Sequence, residues 1–304
     1  MPELPEVETI RTSLARLVVG KQVVASTVYD SPKSFPNDPT AVAHFLHGAT
    51  ITAVERRAKV LLIRLSTNYT LVVHLKMTGQ LLFVGEERWG GGHPNDSFLH
   101  ELPDRLTRVA LTFADGAHLY FNDLRKFGWM KLYPTPEVAQ LPFMQKVGPE
   151  PLDSHTTAAQ FIARIRRHNG TTIKAAILDQ TTIAGVGNIY ADESLWMTQL
   201  HPATRVRMVD DEQLAALFAH IRQVLQLSID KGGSTDRNYV DAEGNKGSYL
   251  AFAQVFRREG QPCPRHPDVE IIKIRVAGRG THICPVCQVK VGGVAHALSH
   301  RGEE

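Results

Sequence analysis

Residues 60–84 read Val60-Leu61-Leu62-Ile63-Arg64-Leu65-Ser66-Thr67-Asn68-Tyr69-Thr70-Leu71-Val72-Val73-His74-Leu75-Lys76-Met77-Thr78-Gly79-Gln80-Leu81-Leu82-Phe83-Val84. Three short apolar runs, Val60–Leu65, Thr70–Leu75 and Gln80–Val84, are separated by turn-forming residues. Runs of this length bounded by turns are strands rather than helices. The pattern extends outward on both sides. Gln22–Thr27 and Ala49–Glu55 precede it, and Val109–Phe113, His118–Phe121 and Gly128–Leu132 follow it. Many short strands with turns between them predict a two-layer β structure. Before them, Pro5 opens a helix whose Val7, Ile10, Leu14 and Leu17 recur at three- and four-residue spacing and which ends at Gly20. Glu86–Leu106, with its Gly90-Gly91-Gly92 run, reads as a long flexible insertion.

Beyond a proline-marked stretch at 135–152 (Pro136, Pro142, Pro149, Pro151) the period becomes helical. Ala158, Phe161, Ile162 and Ile165 form one amphipathic stripe, and Ile173 to Leu178 another. Asp210 and Asp211 can cap a helix carrying Leu214, Leu217, Phe218, Ile221, Val224 and Leu225, stopped by Gly232-Gly233. The predicted class is α+β.

The chain has 304 residues, 43% of them hydrophobic and 21% charged, which fits a packed globular protein of about two domains and excludes wholesale disorder. No apolar run approaches the roughly 18 residues of a membrane helix. The acidic, proline-broken start Met1-Pro2-Glu3-Leu4-Pro5-Glu6 is unlike a signal peptide, so a cytoplasmic protein is expected. Net charge is only +3, but it is uneven. Residues 255–290 carry seven Lys and Arg against three Asp and Glu, while residues 1–152 carry 16 against 15. A local positive surplus of that kind suits an anionic partner.

All three cysteines, Cys263, Cys284 and Cys287, lie within 25 residues. An odd count without an export signal argues against a disulfide framework. Cys284-Pro285-Val286-Cys287 is one knuckle, and Cys263-Pro264-Arg265-His266 repeats its spacing with a histidine last. Three thiolates and one imidazole make a closed tetrahedral set, so one structural zinc ion is expected. A redox pair at 284 and 287 is the alternative, and His282 competes with His266 as the fourth ligand. Between the knuckles, Val269–Val276 and Thr281–Cys284 read as a β-hairpin with Arg279 at its tip between Gly278 and Gly280. A tip arginine is either merely solvated or presents a guanidinium to a phosphate. A second glycine pair, Gly185-Val186-Gly187-Asn188, lets backbone amides approach an anion; taken alone it reads as a helix cap.

Six motifs occur in one order: MPELPEVET at 1–9, RRAK at 56–59, HLKMTG at 74–79, LRKFG at 124–128, GVGNIYADESL at 185–195 and the cysteine hairpin. Together they closely resemble the bacterial formamidopyrimidine-DNA glycosylase family, and the resemblance spans residues 2–288. It implies a β-sandwich catalytic domain over 2–134, a hinge linker over 135–152, a helical domain with a helix–two-turns–helix motif over 153–250, and a zinc finger over 254–288. It also implies base excision repair: release of 8-oxoguanine and formamidopyrimidines from double-stranded DNA, followed by strand cleavage through β,δ-elimination. Leu4 favours this purine branch over the endonuclease VIII-like branch for oxidised pyrimidines, whose members typically begin MPEGPE. A non-catalytic zinc protein that binds damaged DNA is the remaining alternative. A monomer associated with the bacterial nucleoid through DNA is the default.

The residue types fit that chemistry. Removal of Met1 exposes the secondary amine of Pro2; an α-amino group titrates near 7.8, so about one in ten is unprotonated at neutral pH, against fewer than about one in a thousand lysines. Attack at the sugar C1′ gives an iminium that acts as an electron sink. The resemblance makes Glu3 the general acid, with Glu6 at the helix start, Lys59 a participant in β-elimination and Arg279 in δ-elimination. It makes Met77, Arg125 and Phe127 the side chains that fill the gap left by a flipped base, and His74, Asn188 and Arg279 phosphate contacts. Stacking is worth about 1–3 kcal/mol per base, enough to offset much of the flipping cost. Three departures stand out. His266 takes the place of the usual fourth cysteine. Leu106-Thr107-Arg108 lacks a DNA-contacting histidine, for which Arg108 or His100 would substitute. His168-Asn169-Gly170 lacks a lysine, for which Arg166 and Arg167 would substitute. Residues 233–249 correspond to the loop that covers the flipped base.

Overall fold

The computed structural model describes residues 1–93, 96–234 and 249–290. The chain divides into two compact units, one of residues 1–153 with 183–185 and 225–252, the other of the remaining segments. Helix α1 (Leu4–Val18) opens the first unit and α2 (Pro39–Phe45) follows β1 (Val23–Val28). The other strands are β2 (Ile51–Arg57), β3 (Val60–Leu65), β4 (Tyr69–His74), β5 (Gly79–Val84), β6 (Arg88–Gly92), β7 (Thr107–Phe113), β8 (His118–Asp123) and β9 (Trp129–Pro134).

Two antiparallel sheets result, ordered β1-β7-β8-β5-β6 and β2-β3-β4-β9. Their facing side chains, among them Leu61, Ile63, Leu71, Val73, Leu81, Phe83, Leu111, Phe121, Met130 and Leu132, merge with Val7, Ile10, Leu14 and Leu17 of α1 into one core. The alternate residues of β3 and β4 are apolar too, because that face is also covered. Val60, Leu62 and Val72 pack against Val138 and Met144 of α3 (Thr135–Val138) and α4 (Pro142–Lys146). Burial on both faces explains why Val60–Leu65 reads as a nearly continuous apolar run. The proline-marked stretch thus begins with two one-turn helices, each with a proline in its first turn, where a missing N–H costs nothing.

The Gly90-Gly91-Gly92 run is a correction to the sequence reading. Arg88–Gly92 is an edge strand paired with β5, not part of a flexible insertion. Its glycines are required by contact. A Cβ on Gly90 would stand 2.8 Å from Leu82 and Phe98, and one on Gly91 would stand 2.7 Å from Trp89 and 2.8 Å from Ile10. Glycine marked close packing here rather than mobility.

The second unit holds α5 (Ala158–Ile165), α6 (Ile173–Leu178), α7 (Asn188–Met197) and most of α8 (Asp211–Asp230). The caps follow the sequence. Thr157 and Thr172 accept the N–H groups of Gln160 and Ala175, and Asp210 that of Gln213 at 2.7 Å. The hairpin expected from Val269 onward divides at Ile271 into two ribbons, β10 (Pro262–Cys263) with β11 (His266–Glu270), and β12 (Ile272–Val276) with β13 (Arg279–Ile283). Among the described residues no helix is long and apolar enough to cross a membrane.

Candidate active site

In the first unit, Pro2 and Glu3 are buried at the head of α1. Glu3 is the N-cap in extended conformation, and its N–H donates to Glu6 Oε2 at 2.9 Å, so Glu6 reaches back to fix the residue it caps. The other Glu6 oxygen accepts the Ser234 N–H at 2.9 Å. Leu4 N–H donates to Gly185 O at 3.0 Å. Gly185 has φ +82°, and a Cβ there would lie 2.5 Å from Leu4 Cβ, so this glycine of the Gly-x-Gly-Asn turn serves close packing rather than an anion cradle.

Lys59 lies in the two-residue turn between β2 and β3 and is buried, not a surface lysine. Its neighbour Ala58 has φ +53°, a left-handed conformation that costs about 1–3 kcal/mol outside glycine. Glu150 holds that turn. One of its oxygens accepts Ala58 N–H at 2.5 Å and Arg57 at 2.8 Å, and the other accepts Arg56 at 2.8 Å. Arg56 also donates to Glu8 of α1 at 2.9 Å. Burial alone would raise the Glu150 carboxyl, but the Arg56 charge, the Ala58 N–H and Arg57 hold it below the usual carboxylate range.

His74, at the end of β4, is pushed down to about 3 by burial, with the charges of Lys76 and Lys59 adding to the effect. Its Nδ1 accepts Lys76 N–H at 3.1 Å, which leaves the proton of the neutral ring on Nε2. Met77 and Phe127 are 37% and 57% exposed, so neither belongs to the core. The Arg125 guanidinium lies 5.0 Å from the Phe127 ring centroid. Arg108 is a correction. It is 3% exposed, donating to Asp123 O at 2.8 Å, to Arg105 O at 3.1 Å and to Asp30 at 2.5 Å, so its guanidinium is committed inside the protein. His100 remains exposed.

In the second unit, Asn188 begins α7 and donates to Gly280 O at 3.0 Å. Arg279 is the first residue of β13, paired with Val276, while Ala277 and Gly278 form the turn with φ +51° and +72°. Two positive φ values in a two-residue loop match the twist of a hairpin. Arg279 is thus exposed beside the tip rather than at it. Arg167 is exposed, whereas Arg166 is held by Asp211 and by Val206 O and Val209 O at 2.9 and 2.8 Å. The segment 235–248, within the loop expected to cover a flipped base, lies outside the described residues.

Cys263, His266, Cys284 and Cys287 bring their ligand atoms within 4.8 Å of one another. Cys263 Sγ lies 3.7 Å from Cys287 Sγ, and His266 Nδ1 lies 3.2 and 3.8 Å from Cys287 and Cys284 Sγ. A tetrahedral ion with bonds of about 2.3 Å to sulfur and 2.0–2.1 Å to nitrogen needs donor separations of about 3.5–3.8 Å. The four residues therefore fit a metal ion. His282 is not part of this group: its Nδ1 lies 3.1 Å from Asp192 Oδ2 and its Nε2 3.1 Å from Glu259 Oε2. Burial, then the neighbouring sulfurs, push the Cys287 thiol up to about 12. Cys263 goes the other way, to about 6: burial raises it, but the N–H groups of Arg265 and His266 and the Trp196 and Cys284 side chains outweigh that.

Sequence reading missed the groups that hold this end of the molecule. Lys174 and Asp192, both fully buried, pair at 2.6 Å, and Lys174 also donates to Thr281 at 2.7 Å. Asp192 Oδ2 accepts His282 N–H at 2.9 Å, so α6, α7 and β13 meet at one ion pair. Glu193 accepts the N–H groups of Gln254, Val255 and Phe256 at 2.8, 2.9 and 2.8 Å, and burial raises its carboxyl. A lysine within the apolar run Ile173–Leu178 was the available signal.

Two family patterns match the chain: the formamidopyrimidine-DNA glycosylase N-terminal domain over residues 1–130 and the formamidopyrimidine-DNA glycosylase H2TH domain over residues 147–239. A formamidopyrimidine-DNA glycosylase of Herpetosiphon aurantiacus is 42% identical over 289 residues, covering 95% of this chain and 100% of its own. That of Bacillus subtilis is 39% identical over 293 residues, with 95% and 100% covered. Among solved structures, a variant of the Lactococcus lactis enzyme in complex with Fapy-dG-containing DNA has a TM-score of 0.83 at 34% identity, covering 95% of this chain and 100% of that one. The Lactococcus lactis enzyme bound non-covalently to abasic-site DNA has a TM-score of 0.80 at 32% identity, with the same coverage.

Proposed function

The chain belongs to the formamidopyrimidine-DNA glycosylase family, and from that we propose that it excises oxidised purines from double-stranded DNA and then cleaves the strand at the abasic site. Solved relatives holding Fapy-dG and abasic-site DNA support this substrate class. The observation that carries the mechanism is the placement of Pro2 and Glu3 together, buried at the capped head of α1.

Once Met1 is removed, the Pro2 nitrogen attacks C1′ of the damaged nucleotide. The base leaves with the glycosidic electron pair, and Glu3 supplies a proton as the sugar ring opens. The iminium draws electrons from C2′, so loss of a C2′ proton breaks the C3′–O bond; a second elimination breaks the C5′–O bond. Lys59 assists the first elimination. Arg279 binds the phosphate that leaves in the second, a role that suits a guanidinium kept protonated.

Met77, Arg125 and Phe127 fill the vacated stack, which their exposure on loops favours. His74, Arg167 and Asn188 contact phosphates, His74 as a neutral Nε2 donor. Zinc would be held by Cys263, His266, Cys284 and Cys287, where it closes a structural site and supplies no chemistry to the reaction.

The test is borohydride reduction with a duplex containing 8-oxoguanine opposite cytosine. The parent protein forms a covalent adduct, and Pro2→Gly lowers its yield at least about a hundredfold. No adduct from correctly processed parent protein, or faster turnover of thymine-glycol duplexes, contradicts the assignment.

A further inference from the structure

Asp123 ends β8 with its side chain fully buried, a placement that is costly for a carboxylate unless donors surround it. Those donors come from two loops. The Thr78 hydroxyl donates to Asp123 Oδ1. Arg125 N–H is shared between Asp123 Oδ1 at 3.2 Å and the Thr78 hydroxyl at 3.0 Å. Gly128 N–H donates to Asp123 Oδ2 at 2.6 Å. One carboxylate therefore ties the loop carrying Met77 to the loop carrying Arg125 and Phe127.

Both loops need such a tie. Lys76 has φ +50° and Lys126 has φ +57°, so each loop puts a non-glycine residue in left-handed conformation immediately before its exposed apolar side chain. Each also closes on a glycine that admits no side chain. A Cβ on Gly79 would lie 2.3 Å from Leu75 O, and one on Gly128 would lie 2.7 Å from Phe121 and 3.1 Å from Asp123 Oδ2. Arg108 completes the frame, donating to Asp123 O, while Asp30 accepts from both Arg108 and Lys126 at 2.5 and 2.7 Å. This is the use that Arg108 has in place of a phosphate contact.

We propose that Asp123 is a positioning residue for base eversion, setting Met77, Arg125 and Phe127 as one rigid wedge. The inference rests on the void-filling reading of those three side chains. A wedge whose parts move independently must be ordered on each encounter, at a cost in rate that a preset one avoids.

The test uses the full-length zinc-loaded protein and Asp123→Asn, which keeps the volume but sets an amide NH2 group against backbone N–H donors. Thr78→Val, which removes the bridging hydroxyl, is the second variant. Excision of 8-oxoguanine from duplex is read in single turnover, base unstacking by 2-aminopurine fluorescence beside the lesion, and chemistry by borohydride trapping on a single-stranded abasic oligonucleotide, which needs no wedge. Both folded variants are expected to lose the 2-aminopurine response and to slow duplex excision about tenfold, while single-strand trapping stays within about twofold. Unchanged duplex excision in both variants overturns the proposal, as does an equal loss on duplex and single strand, which marks a purely structural carboxylate. If instead Met77→Ala and Phe127→Ala in the parent leave the 2-aminopurine response intact, the void-filling reading itself fails, whatever Asp123 does.

Discussion

In the first unit the Lys59 turn and the head of α1 rest on a continuous apolar core that runs from Val7 to Leu132. In the second, the residues on either side of the Arg279 hairpin, Ile271 and Cys284, belong to a small cluster with Trp196, Val255, Cys263 and Cys287. The polar groups make up the difference. Around Lys59, Glu150 and Glu8 fix the turn itself, while the strands on either side of it are held by the core. Around the hairpin, the cysteine–histidine cluster and the buried Lys174–Asp192 pair do much of the holding. Where apolar area is scarce, a cysteine–histidine cluster that fits a metal ion and a fully satisfied ion pair take over the fixing of side chains.

That contrast is breakable, beginning with its largest consequence. Structural zinc sites contribute binding free energy directly to folding. Chelation, or Cys284→Ser, is therefore expected to release the metal, weaken DNA binding at least about tenfold and leave the first unit folded. Retained DNA affinity in the metal-free protein would remove the hairpin from the binding account.

Next comes Lys174→Met, which strands Asp192 inside the protein. Losing one partner of a buried pair costs about 3–5 kcal/mol, so the second unit should melt several degrees lower while the first unit's transition stays put. An unchanged melt would show that water reaches the pair. Smaller still is Gly185→Ala, which drives a methyl into Leu4 at positive φ; overpacking of this kind costs about 1–3 kcal/mol, and the readout is stability with a lowered excision rate.

The smallest effect belongs to His74, whose ring is expected to stay neutral through the usual histidine range. A neutral His74 in the fold, against an unfolded histidine that protonates near 6.5, means the unfolded state binds more protons between pH 6.5 and about 3. Its contribution to stability is therefore intact above pH 6.5 and is lost progressively as pH falls towards about 3. In an NMR titration the His74 ring should not titrate between pH 8 and 5; a midpoint near 6.5 would contradict its burial.

Much of this was legible in the chain. Val60–Leu65 and Ile173–Leu178 show their observed bounds in the sequence itself, because short apolar runs and capped amphipathic stripes are local signals. The cysteine–histidine cluster was legible from spacing, and the structure settles the choice of fourth residue by placing His282 between Asp192 and Glu259. What stayed hidden were long-range polar pairings. Nothing near Asp123 announces that it faces Thr78, 45 residues away, nor does Glu150 announce Ala58, 92 residues away. The glycines misled for the same reason. Gly90, Gly91 and Gly185 look like mobile or anion-binding turns in sequence, but each is required by a side chain brought close only by the fold.

The covalent route is tested most directly by peptide mapping of the borohydride-trapped complex. The proposal predicts that the deoxyribose remnant sits on the nitrogen of residue 2, in protein lacking Met1. A remnant on the Lys59 Nζ, or full activity from protein that still carries Met1, would contradict it.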